Sequence, residues 1–121
     1  MKRAVLIAAA LAGLAACKPT VSSPAWTEVG DARAGKTVIA KVQCGACHEI
    51  PGIDGAEGRV GPPLSDFAER TLIAGVLPNT PENLVRWLRF PQQVKPGDAM
   101  PNTGLSDQQA RGAAAYLYGL R

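Results

Sequence analysis

The sequence predicts an all-α protein of about four helices, and three observations lead there. Apolar residues recur at helical spacing in short windows, each opened by a capping residue. Most of the 13 Gly and 10 Pro fall between those windows. No window shows the period-two alternation that would support a strand.

The 121 residues suit one domain plus a leading segment. Met1, Lys2 and Arg3 give a charged start, and Ala4 to Ala16 is an uninterrupted apolar run of thirteen. That run is too short to cross a bilayer and reads as a secretory signal over residues 1–16. It ends Leu14-Ala15-Ala16-Cys17, which resembles the lipobox of bacterial lipoproteins, so Cys17 is expected to carry a lipid. The alternative is an ordinary signal with Cys17 incidental, which leaves an odd thiol in an exported chain. Cleavage before Cys17 would leave 11 basic side chains against 10 acidic ones. The sequence pI of about 9.0 is then largely a property of the leader and points to no nucleic-acid partner. Residues 17–30 read as the lipidated Cys and a flexible tether, rich in Pro, Ser and Thr. Its thirteen residues after Cys17 would reach about 40 Å if extended. Trp26 is its one large apolar residue.

The domain is expected over 31–121. Asp31 is an N-cap, and Gly35, Val38, Ile39 and Val42 share one face of a first helix running to the Cys44 region. Residues 49 to 63 hold four Gly and three Pro and read as loop. Ser65 or Asp66 can cap a second short helix through Phe67, Leu72 and Ile73, ending at Gly75. Thr80 followed by Pro81 opens a third through Leu84, Trp87 and Leu88, which Pro91 should stop. Residues 91 to 105 read as loop. Ser106 with Gln109 forms a capping box for a last helix bearing Ala110, Ala113, Ala114 and Leu117 on one face. So few aromatic side chains make a thin core, which a buried porphyrin would fill out.

Cys44-Gly45-Ala46-Cys47-His48 is the C-x-x-C-H pattern of covalent haem attachment. Two thiols must reach two vinyl groups on one porphyrin edge, and the next side chain then faces the iron. His48 is the only histidine in the chain, so it has no competitor for the proximal position. Three other readings fit the cysteines alone. A thioredoxin-type pair calls for a βαβ setting, and the flanks here are helical. A zinc site calls for further Cys or His. A structural disulfide would leave the following His an accident. Assigning Cys17 to lipid and the other two to haem accounts for all three cysteines. Met100 is the only methionine left once Met1 departs with the signal. It sits 52 residues past His48 in Pro96-Gly97-Asp98-Ala99-Met100-Pro101, a polar loop stiffened by prolines. That is a poor place for a core filler and a good one for a thioether ligand to iron.

Together, C-x-x-C-H, Gly61-Pro62-x-Leu64, the Pro-Gly-x-x-Met loop and a terminal helix with a Tyr resemble a class I c-type cytochrome, especially the short bacterial ones. The resemblance implies a cytochrome c fold around one covalent haem c, with the Pro62 carbonyl accepting a hydrogen bond from the proximal imidazole. It also implies that Arg70 pairs with a propionate and that Trp87 lies near the Met side of the haem. Gly35 and Tyr116 match the crossing of the first and last helices. Ile39 departs from the aromatic residue usual in relatives, as Arg59-Val60 departs before Gly-Pro.

His/Met ligation closes both axial positions and favours electron transfer over catalysis. The expected role is an exported, membrane-tethered shuttle on the periplasmic side, a monomer that docks redox partner proteins transiently through its haem edge. It would pass single electrons between a respiratory donor and a terminal oxidase or reductase. The rivals are a permanent cytochrome c subunit of an oxidase or dehydrogenase, a sensor or peroxidase in which Met100 dissociates, and a haem-free thiol protein.

Overall fold

The computed structural model describes residues 29–121. The expected signal, the lipidation of Cys17, Trp26 and nearly all of the tether lie outside the described residues. Four α-helices follow in order: α1 over Ala32–Lys41, α2 over Pro81–Arg89, α3 over Pro91–Val94 and α4 over Asp107–Tyr118. One turn of 3-10 helix spans Cys44–Ala46 and another spans Phe67–Glu69. A two-residue antiparallel hairpin pairs β1, Leu72–Ile73, with β2, Leu77–Pro78.

The caps act where the sequence places them. Asp31 accepts the N–H groups of Arg33 at 2.8 Å and Ala34 at 3.2 Å. Thr80 accepts from Asn83 at 3.3 Å, ahead of Pro81 at the first helical position. At Ser106 the box is reciprocal: its hydroxyl accepts from the Gln109 N–H, and the Gln109 amide oxygen accepts from the Ser106 N–H.

Helix α4 runs across α1 and α2 through its small residues. Ala110, Ala113 and Ala114 are all but fully buried, against Ile39 of α1 and Leu84, Val85 and Leu88 of α2. At the α1–α4 crossing the backbones nearly touch: a Cβ on Gly35 would come within 1.8 Å of the Gly112 carbonyl oxygen. The sequence sets Gly35 and Tyr116 at this crossing, and Gly112 is the matching absence of a side chain on the other helix.

Three expectations are corrected. The second helix reduces to the turn at Phe67–Glu69, because Asp66 makes no side-chain cap and Arg70 is already extended. Leu72 and Ile73 belong instead to the hairpin, Ile73 facing the core and Leu72 outward. Its turn holds Ala74 and Gly75 at φ 51° and 73°, the pairing of two left-handed residues that closes a tight hairpin. Pro91 does not lead into loop: Phe90 breaks α2 at φ −133°, and Pro91 opens α3 from its first position. The 91–105 segment therefore begins as a helix of one turn.

Candidate functional site

The site is built where α1 ends. Its last turn passes through Val42 to Gln43, whose φ of 59° turns the chain out of the helix and into the Cys44–Ala46 turn. That turn accepts the N–H groups of Cys47 and His48 on the Cys44 carbonyl, at 3.2 and 3.0 Å. Gly45 is small for a tertiary reason as well as a local one. A Cβ there would lie 2.6 Å from the Cα of Ala56 in the loop that folds back over the turn.

The cavity beside this turn has a volume of about 480 Å³, within the range of small-molecule and cofactor sites. Its lining includes Cys44, Cys47 and His48, then Val60, Gly61 and Pro62, and Asp98 to Thr103 with Met100 among them. The sequence sets His48 and Met100 52 residues apart, and the fold brings both to one apolar cleft.

The imidazole is held from two sides. Its Nδ1–H donates to the Pro62 carbonyl at 2.7 Å, which fixes the tautomer and leaves Nε2 free for a metal. Gly61 supplies the space: a Cβ there would stand 2.2 Å from His48 Cε1 and 2.7 Å from Nδ1. The Gly61 N–H is itself anchored to the Cys47 carbonyl at 2.8 Å.

The Cys44 thiol does not have the character of a redox nucleophile. Burial pushes the Cys44 thiol above its ordinary pKa and its neighbour Cys47 adds to the rise, with a backbone hydrogen bond opposing them. Low-pKa reactive cysteines require the reverse. Among the described residues no three His, Cys, Asp or Glu side chains converge as a zinc site would require. Two side-by-side thiols, one free imidazole nitrogen, one thioether and an apolar cleft between them do fit a haem bound through both cysteines.

The loop opposite His48 is braced by Asp98. Its carboxylate accepts the Met100 N–H at 3.1 Å and pairs with Lys95 at 3.0 Å, and together these hold its pKa below the usual carboxylate range. Arg70 and Trp87 stand apart from the cavity lining. The Arg70 guanidinium donates to the Pro63 carbonyl and lies 5.6 Å from the Phe67 ring centre. Trp87 is buried in the core among the α2 residues. Tyr116 donates its hydroxyl to the Pro51 carbonyl at 2.6 Å, tying α4 to the loop after the cysteine turn.

Sequence reasoning passed over Gly61 as a site residue and over Gln92, which contacts the Met100 loop. Gly61 carried a signal, the Gly-Pro pair itself, but what it must make room for is visible only in three dimensions. Gln92 carried none, because a glutamine in a Pro-rich stretch looks like any solvated residue.

A model of the family described as Cytochrome c matches residues 32–121. The chain is also similar to three proteins named cytochrome c oxidase subunit 2. One from Bacillus sp. (strain PS3) is 37% identical over 108 residues, covering 86% of this chain and 28% of that protein. One from Alkalihalophilus pseudofirmus is 37% identical over 91 residues, covering 74% and 26%. One from Bacillus subtilis (strain 168) is 37% identical over 94 residues, with the same coverage. The chain thus spans about a quarter of the length of the curated relatives it matches.

Proposed function

Because the chain belongs to the cytochrome c family, and so binds haem c through its cysteine pair and transfers electrons, we propose that it delivers single electrons to a terminal oxidase, with His48 and Met100 as the iron's axial ligands. The observation that carries the ligand assignment is the shared cavity, whose lining includes both His48 and Met100. When bound, the haem supplies a one-electron iron couple. The chain's own residues do the rest. Cys44 and Cys47 attach the group, and Pro62 orients the imidazole and raises its basicity. Met100 would hold the iron from the loop that shares the cavity, and a thioether bound there would leave no position for oxygen or peroxide.

The three relatives, by their printed names, belong to oxidases, and this favours an oxidase as acceptor over a reductase. It also favours standing association with that oxidase over a freely diffusing shuttle. The lipid expected on Cys17 serves either arrangement, since a tether raises the local concentration of carrier at the membrane. No helix among the described residues is long and apolar enough to cross a membrane.

The test uses the full-length holoprotein extracted from membranes in mild detergent. It should co-purify in fixed ratio with an oxidase that re-oxidises it in air. Its ferric spectrum should show the charge-transfer band of a thioether on low-spin iron, absent from Met100→Ala although the haem stays covalently bound. A five-coordinate high-spin resting spectrum, or re-oxidation by every acceptor tried except an oxidase, would overturn the reading.

A further inference from the structure

A thioether is a weak ligand, and a loop must hold it in place. The hydrogen bonds of the Met100 loop converge on one side chain outside that loop. Gln92, the second residue of α3, uses its whole amide: Nε2 donates to the carbonyls of Asp98 and Met100, both at 2.7 Å. Its Oε1 accepts the Gly97 N–H at 3.1 Å. The Gln92 backbone N–H donates to Asn102 Oδ1 at 3.3 Å, on the far side of Met100. These three side-chain bonds fix the amide's orientation, because a half-turn would aim its oxygen at two carbonyl oxygens. Gln92 is half-buried and stands outside the cavity lining, whereas its neighbour Gln93 is exposed and makes no side-chain hydrogen bond within the described residues.

Asp98 braces the loop from within, but among the described residues Gln92 alone ties residues 97, 98 and 100 to a helix. That helix exists because Pro91 occupies its first position, next to the buried end of α2. Without the amide, three backbone groups turn to water and the loop regains conformational freedom that ligation must then remove. We propose that Gln92 is the positioning residue for the iron's sixth ligand, setting how firmly Met100 holds that site. The inference rests on the assignment of Met100 as ligand.

The experiment titrates full-length ferric holoprotein with imidazole, which competes with Met100 for the iron, and follows loss of the thioether charge-transfer band. Gln92→Glu keeps the shape but loses the donors to both carbonyls, and Gln92→Leu loses all three bonds. Both should be half-saturated at roughly tenfold lower imidazole than the parent protein, or less still, with covalent haem content unchanged. Gln93→Leu, on the same helix, should keep the parent affinity. Parent-like imidazole affinity in both Gln92 variants would overturn the proposal, as would an equal shift in Gln93→Leu, which would trace the effect to helix stability. Failure of the ligand assignment itself shows separately, as absence of the band from the parent protein before any variant is made.

Discussion

His48 illustrates how one residue is specified by several others. Its ring is aimed by the Pro62 carbonyl at 2.7 Å and admitted by the missing side chain of Gly61. Gly61→Ala places a methyl 2.2 Å from Cε1, so the ring must leave the Pro62 carbonyl. The variant should retain Cys-linked haem after denaturation yet lose the low-spin His/Met spectrum when folded. A parent-like spectrum would show that the ring has room to spare. Tyr118 is a second case. Its hydroxyl donates to Asn79 Oδ1 at 2.7 Å, and the Asn79 amide donates to the carbonyls of Phe67 at 3.1 Å and Arg70 at 2.9 Å. Burial, with a smaller contribution from Glu82, pushes the Tyr118 phenol up to about 12. The neutral phenol is therefore favoured in the folded state. Its contribution to stability is complete below the unfolded value near 10 and declines as pH climbs from there through about 12. Denaturant titrations across that window should show the parent protein losing stability more steeply than Tyr118→Phe, and matching slopes would remove Tyr118 from the account. The C-x-x-C-H residues were legible in sequence because covalent chemistry demands that spacing. Gln92 and the room that Gly61 makes were not, because each depends on where the folded loops bring their partners.

At the scale of elements, the junction of α1 with α4 holds both ends of the domain together. Gly30, Gly35 and Gly112 let the two backbones meet, so a methyl at Gly35 has nowhere to go but into the Gly112 carbonyl. Gly35→Ala should destabilise the holoprotein by about 3 kcal/mol, at the upper end for overpacking. For a domain of this size that lowers Tm by ~10–20 °C in a thermal melt. A loss of only a degree or two would mean that the helices shift apart freely. Capping signals located α1, α2 and α4 because a cap is a local event between residues two or three apart. The same local logic failed over 66–78 and at Pro91. A short apolar run does not distinguish a helix from a hairpin, and a proline ends one helix as readily as it begins the next.

At the scale of the whole molecule, the proposed role requires a means of keeping the domain near an oxidase. In cells lacking the oxidase, Cys17→Ser should move the haem protein from the membrane to the soluble exported fraction with its visible spectrum unchanged. Retention in detergent-free membranes would refute the lipid anchor, and retention dependent on an oxidase would favour a fixed subunit. The sequence by itself determined the cofactor, through two cysteines and a histidine whose spacing matches one porphyrin edge. It also determined the helical class, because caps and 3.6-residue periodicity act over a single turn. Only the tertiary structure decided that Met100 shares a cleft with His48, that Arg70 and Trp87 stand off from that cleft, and that an unremarked glutamine holds the loop. Those outcomes depend on how the folded backbone brings groups together, whether five to eight residues apart, as for Gln92 and its loop, or 52 apart, as for His48 and Met100. No local pattern records the side chain a neighbour must lack, or the hydrogen bond it must supply.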